Sequence, residues 1–229
     1  MNTRIALATS LIALLSTGIA VAGDHEIRIL HITDRVGDVD NFHPGDASDI
    51  PRRSAAIVQA LALSETTPAE LDEARSNRSV GFTHAFDLPA AGQITGAVLT
   101  VRVTSADELV STDVLILDPG VRAYNEARLD FPRTNLEHLL GFKPVAGVIY
   151  DLKVDLSHVP VVYSDYFPLQ PDGFLNLLPE LADGRLDVLT GDDVMVDASR
   201  LTVHVAVPCS GRKCSDDRGE DKGGAHHDD

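Results

Sequence analysis

The chain has 229 residues and a formal net charge of −16, from 19 lysines and arginines against 35 aspartates and glutamates. This excess of carboxylates repels phosphate backbones, so the composition argues against nucleic-acid binding and is compatible with divalent cations. The length is enough for one all-β domain, with or without a helical insert.

The first residues have the three parts of a secretory signal. Arg4 supplies the positive charge, Ile5 to Leu15 form an apolar run, and Ala20-Val21-Ala22 is an A-x-A cleavage site. The run is too short to span a bilayer and no second one follows. We therefore expect a signal peptide over residues 1–22, cut after Ala22, and a secreted or periplasmic protein without an integral membrane segment.

The predicted elements then begin with a strand over Ile27–Ile32, which leads into the acidic loop RVGDVDNFHPGD. The stretch after this loop is the least β-like part of the chain, because Ile57, Leu61 and Ala62 share one helical face. The segment Thr67-Pro68-Ala69-Glu70 has a cap residue followed by proline, which is typical of a helix start. A short helical insert is therefore expected after the first strand.

From Ser79 onward the hydrophobic period is two, in VGFTHAFDLP, ITGAVLTVRVTS, VIYDLKVDLS and RLTVHVAV. The turn Pro89–Gln93 predicts a hairpin between the first two of these strands. Val114–Asp118 (VLILD) is apolar on both faces and predicts a fully buried strand. Alternating strands without a regular β-helix-β rhythm predict an all-β, antiparallel two-sheet sandwich of the jelly-roll kind, in one domain over 23–208.

The two cysteines of the chain, Cys209 and Cys214, lie in CSGRKC near its end. In an exported protein a pair spaced so closely predicts a local disulfide, which would fix the chain end and add little to global stability. The tail that follows has almost no apolar residues. Residues 209–229 are therefore expected to form a disulfide-closed turn and a disordered acidic tail.

Oxygen-bearing side chains cluster in two predicted loops, one after the first strand and one between the last two strands. Calcium takes about six to eight oxygen ligands from such loops, and loops at one end of a jelly roll can meet. The candidate ligands are Asp34, Asp38, Asp40, Asn41, Asp192, Asp193 and Asp197. The alternative is that both are ordinary acidic turns, in which aspartate and glycine serve the backbone geometry.

Catalytic signatures are weak in this sequence. ILHITDRVGDVDN superficially resembles the start of calcineurin-like phosphoesterases, but Asp34 is followed by Arg35 and Val36 where those enzymes have Asp-x-His. The sequence contains no G-x-S-x-G nucleophile elbow. His84 lies on an apolar strand face, which favours a packed, hydrogen-bonded histidine. We assign no catalytic residue and expect a non-enzymatic protein, with an exported hydrolase as a minor alternative.

A long loop between predicted strands, YSDYFPLQPDGF, carries Tyr163, Tyr166 and Phe167. Long loops on a rigid sandwich are common binding sites, and aromatic faces stack on sugar rings. These residues are candidates for binding a glycan or a surface protein. The alternative function is a structural or assembly subunit of the envelope or extracellular matrix, without a small ligand, which pairs through its edge strands.

GDVDNF, SVGFTHAFDLP, ITGAVLTVRV and STDVLILD, together with VIYDLKVDLS and LADGRLDVLTGDDVMVDASRLTVHV, carry a family resemblance. The chain resembles exported bacterial β-sandwich modules of the kind often found in PEP-CTERM-type secreted proteins. That resemblance implies a non-catalytic jelly-roll domain at or outside the cell envelope. The sequence departs from those proteins in having no Pro-Glu-Pro sorting tail.

Overall fold

The computed structural model describes residues 27–63, 67–73, 78–105, 114–117, 133–160, 174–190 and 194–209. Two helices, α1 (Ala55–Leu63) and α2 (Leu136–Leu140), and two 3-10 turns, Ala47–Asp49 and Glu180–Asp183, accompany the strands. The strands are β1 (Ile27–Gly37), β2 (Thr67–Ala69), β3 (Arg78–Ala85), β4 (Gln93–Ser105), β5 (Val114–Leu117), β6 (Arg133–Asn135), β7 (Tyr150–Asp155), β8 (Val159–Pro160), β9 (Phe174–Leu175), β10 (Arg185–Thr190) and β11 (Val194–Pro208).

The strands form two main sheets. One has four strands in the order β1-β11-β4-β7, all antiparallel, and the other has five in the order β2-β3-β10-β5-β6. A small third sheet pairs β8 with β9. The predicted antiparallel two-sheet sandwich is therefore confirmed, and so is the helical insert after the first strand, as α1.

The core lies between the two sheets, because the apolar residues of each strand alternate with polar ones and face inward. The four-stranded sheet and the five-stranded sheet contribute to one continuous cluster of buried side chains. Its members include Leu99, Val101, Val103, Leu152, Val154, Leu201, Val203 and Val205 from the first sheet and Val80, Phe82, Leu186 and Val188 from the second.

The segment predicted to start a second helix is instead strand β2. Thr67, Pro68 and Ala69 pair in parallel with β3 at the edge of the five-stranded sheet. Proline is tolerated at such an edge, because the outer side of the strand needs no N–H donor. A strand of three residues is too short to show a period of two, so its sequence could not be distinguished from a capped helical turn.

The predicted hairpin around Pro89–Gln93 was also wrong. A turn is present there, since the Gly92 N–H donates to the Pro89 carbonyl at 2.8 Å. However, β3 belongs to the five-stranded sheet and β4 to the four-stranded sheet, so the turn connects the two layers. Hydrophobic alternation determines which face of a strand is buried, but it does not determine the strand with which it pairs.

Several predictions lie outside the described residues, namely the signal peptide, the acidic tail and the partner Cys214 of the expected disulfide. The pairing of Cys209 with Cys214 therefore stays a prediction. In the described ranges, no helix combines the length and the apolar character needed to cross a membrane.

Candidate metal site

The candidate site lies where β1 ends and β11 is irregular. The pairing of β11 with β4 shifts between Val196 and Ala198, so Asp197 is an extra residue in the ladder. A bulge of this kind redirects a side chain. As a result both Val196 and Asp197 are fully buried, although neighbouring strand residues ordinarily face opposite sides.

Three carboxylates converge at this bulge. Asp40, Asp72 and Asp197 each place one carboxylate oxygen within 4.8 Å of the other two. Asp72 is 2% exposed and Asp197 is fully buried, whereas Asp40 is partly exposed. Two oxygens bound to the same calcium ion lie at most about 5 Å apart, twice a Ca–O distance of about 2.4 Å. The three oxygens therefore have the spacing of ligands to one ion, and Asp40 gives the cluster an opening to solvent.

Asp197 also holds the acidic loop in place. Its Oδ1 accepts the backbone N–H groups of Asp40 and Phe42, at 3.4 and 3.2 Å. Its Oδ2 lies 2.8 Å from Nε of Arg102, as an ion pair without hydrogen-bond alignment. Asn41 accepts from the same guanidinium at 3.3 Å. Through these contacts the loop is attached to β11 and β4.

Asp72 is the least compensated carboxylate of the cluster. Its backbone has the left-handed φ of 60°, and its N–H donates to the Val196 carbonyl at 3.0 Å. Neither oxygen of its buried side chain has a hydrogen-bond donor among the described residues. Burial, the adjoining Asp49 carboxyl and the charge of Asp197 raise the pKa of Asp72 to about 8.

Asp49, the last residue of the 3-10 turn, lies beside Asp72. Its Oδ2 accepts the N–H groups of Gly45 and Asp46, each at 2.7 Å, while its Oδ1 is buried without a donor in the described part of the chain. Two ionised carboxylates cannot hydrogen-bond each other, so contact between Asp49 and Asp72 requires either a proton or a cation.

Gly37 allows the end of β1 to pack closely against Asp197 on one side and Leu71 on the other. Its φ is +72°, and a Cβ there would lie 2.5 Å from the Asp197 carbonyl oxygen and 2.7 Å from Cδ1 of Leu71, which precedes Asp72. We expect Gly37→Ala to lower the free energy of unfolding by about 2 kcal/mol more than Gly147→Ala. Gly147 has nearly the same φ, +71°, but nothing within 4 Å of its added Cβ.

Urea unfolding of the two variants measures this difference, since both carry the same backbone strain and one carries the collision in addition. Equal losses of stability in Gly37→Ala and Gly147→Ala would contradict the close approach at Gly37.

Among the predicted ligands, Asp40 and Asp197 come together, but three others are used elsewhere. Strand β1 extends to Gly37, so Asp34 lies in the strand and pairs with Arg52 and His84. Asp38 accepts from the Ser48 hydroxyl, and Asn41 from Arg102. The predicted ligands Asp192 and Asp193 lie outside the described residues.

Asp49 and Asp72 were missed by the sequence analysis. Asp72 follows the segment that was mistaken for a helix, and Asp49 lies beyond the acidic loop. No linear spacing connects either residue to Asp197. Only the packing of the 3-10 turn and of Leu71-Asp72 against β11 brings them together, through the bonds from the Leu71 N–H to the Asp49 carbonyl and from the Asp72 N–H to Val196.

A second polar cluster joins the two sheets at Asp34, His84 and Ser199. His84 Nδ1 lies 2.9 Å from Asp34 Oδ2, and Nε2 lies 2.9 Å from the Ser199 hydroxyl. Burial alone would raise the pKa of Asp34, but hydrogen bonds from His84, Arg52 and the Ala85 N–H lower it to about 2. Burial lowers the pKa of His84, which favours the neutral imidazole.

Ser199, His84 and Asp34 are connected in the same order as a Ser-His-Asp catalytic triad. The surroundings of this cluster, however, differ from those of a catalytic site. His84 is fully buried and Ser199 is 3% exposed, so both groups lie almost entirely inside the protein. The Ser199 hydroxyl also lies 3.4 Å from the Thr100 carbonyl. The prediction of a packed, hydrogen-bonded His84 is confirmed, and the cluster satisfies buried polar groups between the sheets.

Tyr163, Tyr166 and Phe167, the predicted glycan-stacking residues, lie outside the described residues. No protein-family model and no curated protein matches this chain. A structural comparison pairs 79% of the chain with 90% of an unassembled VP1 pentamer mutant of Washington University polyomavirus, at 13% identity and a TM-score of 0.15. That likeness is too low to carry an argument.

Proposed function

We propose that this protein is an exported, non-catalytic β-sandwich module that binds calcium at Asp40, Asp72 and Asp197 and recognises a glycan or another cell-surface component. The observation that carries the calcium proposal is the Asp72 carboxylate. It is 2% exposed, lies within 4.8 Å of two other carboxylates, and has no donor to either oxygen among the described residues.

The charge of the cluster supports a cation. Asp40, Asp72 and Asp197 lie together and Asp49 adjoins Asp72, while among the described residues Arg102 is the cation paired with this group, through Asp197. Burying carboxylates without matching positive charge or donors is costly, and the pKa of such groups shifts until they are neutral. A divalent ion removes this cost, since it neutralises the carboxylates and fills the unused coordination of Asp72.

The ligand chemistry supports calcium over other divalent ions. Asp40, Asp72 and Asp197 supply only oxygen, which suits hard cations and disfavours zinc or copper. Magnesium demands a near-ideal octahedron and gives up its water reluctantly, whereas calcium accepts irregular oxygen sites. Three carboxylate oxygens within 4.8 Å of one another lie inside the span of about 5 Å between two oxygens on one calcium ion.

The expected location fits the same proposal. Extracellular calcium-binding modules work with dissociation constants of about 0.1–1 mM, because calcium is abundant outside the cell. The signal sequence over residues 1–22 and the resemblance to exported modules support secretion. Calcium would then attach the acidic loop and Leu71-Asp72 to β11, which stabilises one end of the sandwich.

One observation favours the alternative of an assembly subunit. Val145, Val148 and Ile149, all exposed, precede β7, which is an edge strand of the four-stranded sheet, and Phe142 is exposed beside them. Apolar residues next to an edge strand of the described sheet suit pairing with another chain. A concentration-dependent oligomer in sedimentation would favour this alternative.

Thermal unfolding tests calcium binding. A ligand with a dissociation constant of about 0.1 mM that binds only the folded state stabilises it by about 2 kcal/mol at about 5 mM. We therefore expect calcium to raise the midpoint by about 5 °C or more relative to EDTA, and magnesium to raise it much less. Identical midpoints in EDTA and calcium, or equal effects of magnesium and calcium, would refute the proposed site.

A further inference from the structure

A row of cations crosses the outer face of the four-stranded sheet. Arg35 of β1 lies directly opposite Arg200 of β11, Arg200 lies opposite Thr100 of β4, and Thr100 lies opposite Lys153 of β7. Directly opposite residues share a face, and the two arginines and the lysine are all exposed. We call Arg35, Arg200 and Lys153 the cationic row.

The cationic row is uncompensated. Within the described part of the chain, Arg35, Arg200 and Lys153 have no ion-pair partner. Like charges directly opposite each other on neighbouring strands, about 5 Å apart, destabilise a sheet. An anionic ligand would remove the repulsion.

The row lies in a groove of about 500 Å³. Arg102 adds a fourth cation to its lining, and the other polar side chains there are Thr100, Asp38, Asp151 and the nearly buried Ser199. Asp151 is 57% exposed, and its two oxygens accept from Nη1 of Arg102 at 3.2 and 3.4 Å, which leaves their outer lone pairs open to a ligand. None of the groove's lining residues is aromatic.

We propose that this groove binds an acidic polysaccharide, one that carries carboxylate or sulfate groups along its chain. The cationic row binds the anionic groups, while Asp38, Asp151 and Thr100 exchange hydrogen bonds with sugar hydroxyls. This inference rests on the proposed function as a binding module and names the class of its ligand, but it does not depend on calcium.

The lining of the groove favours a polysaccharide over a nucleic acid. Single-stranded nucleic acids bind through bases stacked on aromatic side chains, which the lining of this groove does not supply. A ligand that alternates acidic groups with hydroxyls matches a groove that alternates cations with hydrogen-bond acceptors.

The experiment compares two matched probes, dextran sulfate and unmodified dextran, by affinity electrophoresis or thermophoresis at low salt. We expect the wild-type protein to bind dextran sulfate and not dextran. Arg200→Gln should weaken binding about tenfold, since a charge-assisted contact is worth about one factor of ten. Lys143→Gln, which removes an exposed cation outside the groove, should leave the affinity within about twofold.

Two further readouts keep the test decisive. Arg200→Gln should melt no lower than wild type without ligand, because it removes the repulsion with Arg35. Its binding should also depend less steeply on salt, since one fewer contact releases counterions. Equal binding of dextran, an affinity unchanged by Arg200→Gln, or equally tight binding of an oligothymidylate of matched length would overturn the inference.

The same measurements are repeated in EDTA and in calcium, so that the two proposals fail separately. Binding of dextran sulfate without a calcium-induced rise in melting temperature would refute the metal site alone. A calcium-induced rise without binding of dextran sulfate would refute the groove alone.

Discussion

In EDTA at neutral pH, Asp72→Asn should melt several degrees higher than the wild-type protein, and calcium should no longer raise its melting temperature. The amide has the shape of the carboxyl and tolerates the left-handed φ of 60° at this position. At neutral pH the wild-type carboxyl must take up a proton on folding, and the amide removes this cost, which should stabilise the metal-free protein by about 2 kcal/mol. It also removes a charged ligand from the ion.

The loss of the calcium response together with a gain in EDTA distinguishes a metal ligand from a structural residue. A residue that only packs would destabilise the fold in calcium and in EDTA alike. Asp87→Asn is the matched control, because Asp87 is exposed and its loss changes the net charge equally. Differential scanning calorimetry of the three proteins in both conditions checks the prediction. An Asp72→Asn variant that keeps the full calcium-induced rise would contradict it.

The metal-free protein should also become less stable as the pH rises towards 8. The folded pKa of Asp72 is raised from 3.8 to about 8, so the folded state binds more protons than the unfolded state between these values. Stability is therefore fully present below about pH 4 and is lost progressively until about pH 8. In the presence of calcium, stability should instead rise with pH over this range, because calcium takes the place of the proton on Asp72.

Urea unfolding in EDTA from pH 5 to pH 8.5 measures this loss, and Asp72→Asn isolates it from other titrating groups. Asp34, whose pKa is lowered to about 2, contributes only in more acidic solution, where its stabilisation is lost below about pH 4. The wild-type protein should fall progressively below the variant as the pH rises. Parallel pH profiles of the two proteins would show that Asp72 is not held protonated by its surroundings.

The sequence predicted the strands better than it predicted their partners. The alternation of Leu99, Val101 and Val103 with polar residues specifies a buried strand face, and these residues are at most 1% exposed. Alternation carries no information on sheet order, which is why the turn at Gly92 connects two layers and does not form a hairpin.

The candidate site was predictable only in part, for a similar reason. Asp40 and Asp197 stood out because they lie in acid-rich segments. Asp49 and Asp72 reach the site through long-range packing against β11, and the burial of Asp197 depends on a bulge. Neither kind of contact has a local sequence signal. The extension of β1 to Gly37 likewise places Asp34 inside a strand, where it pairs with His84.

Titration calorimetry of calcium into the metal-free protein at pH 7, in two buffers of different ionisation enthalpy, tests the central claim most directly. With a pKa of about 8, Asp72 carries a proton at pH 7, and calcium must displace it. We predict one calcium ion per chain, release of nearly one proton, and loss of both in Asp72→Asn. Absence of binding at millimolar calcium, or binding that releases no proton and survives Asp72→Asn, would contradict the proposed site.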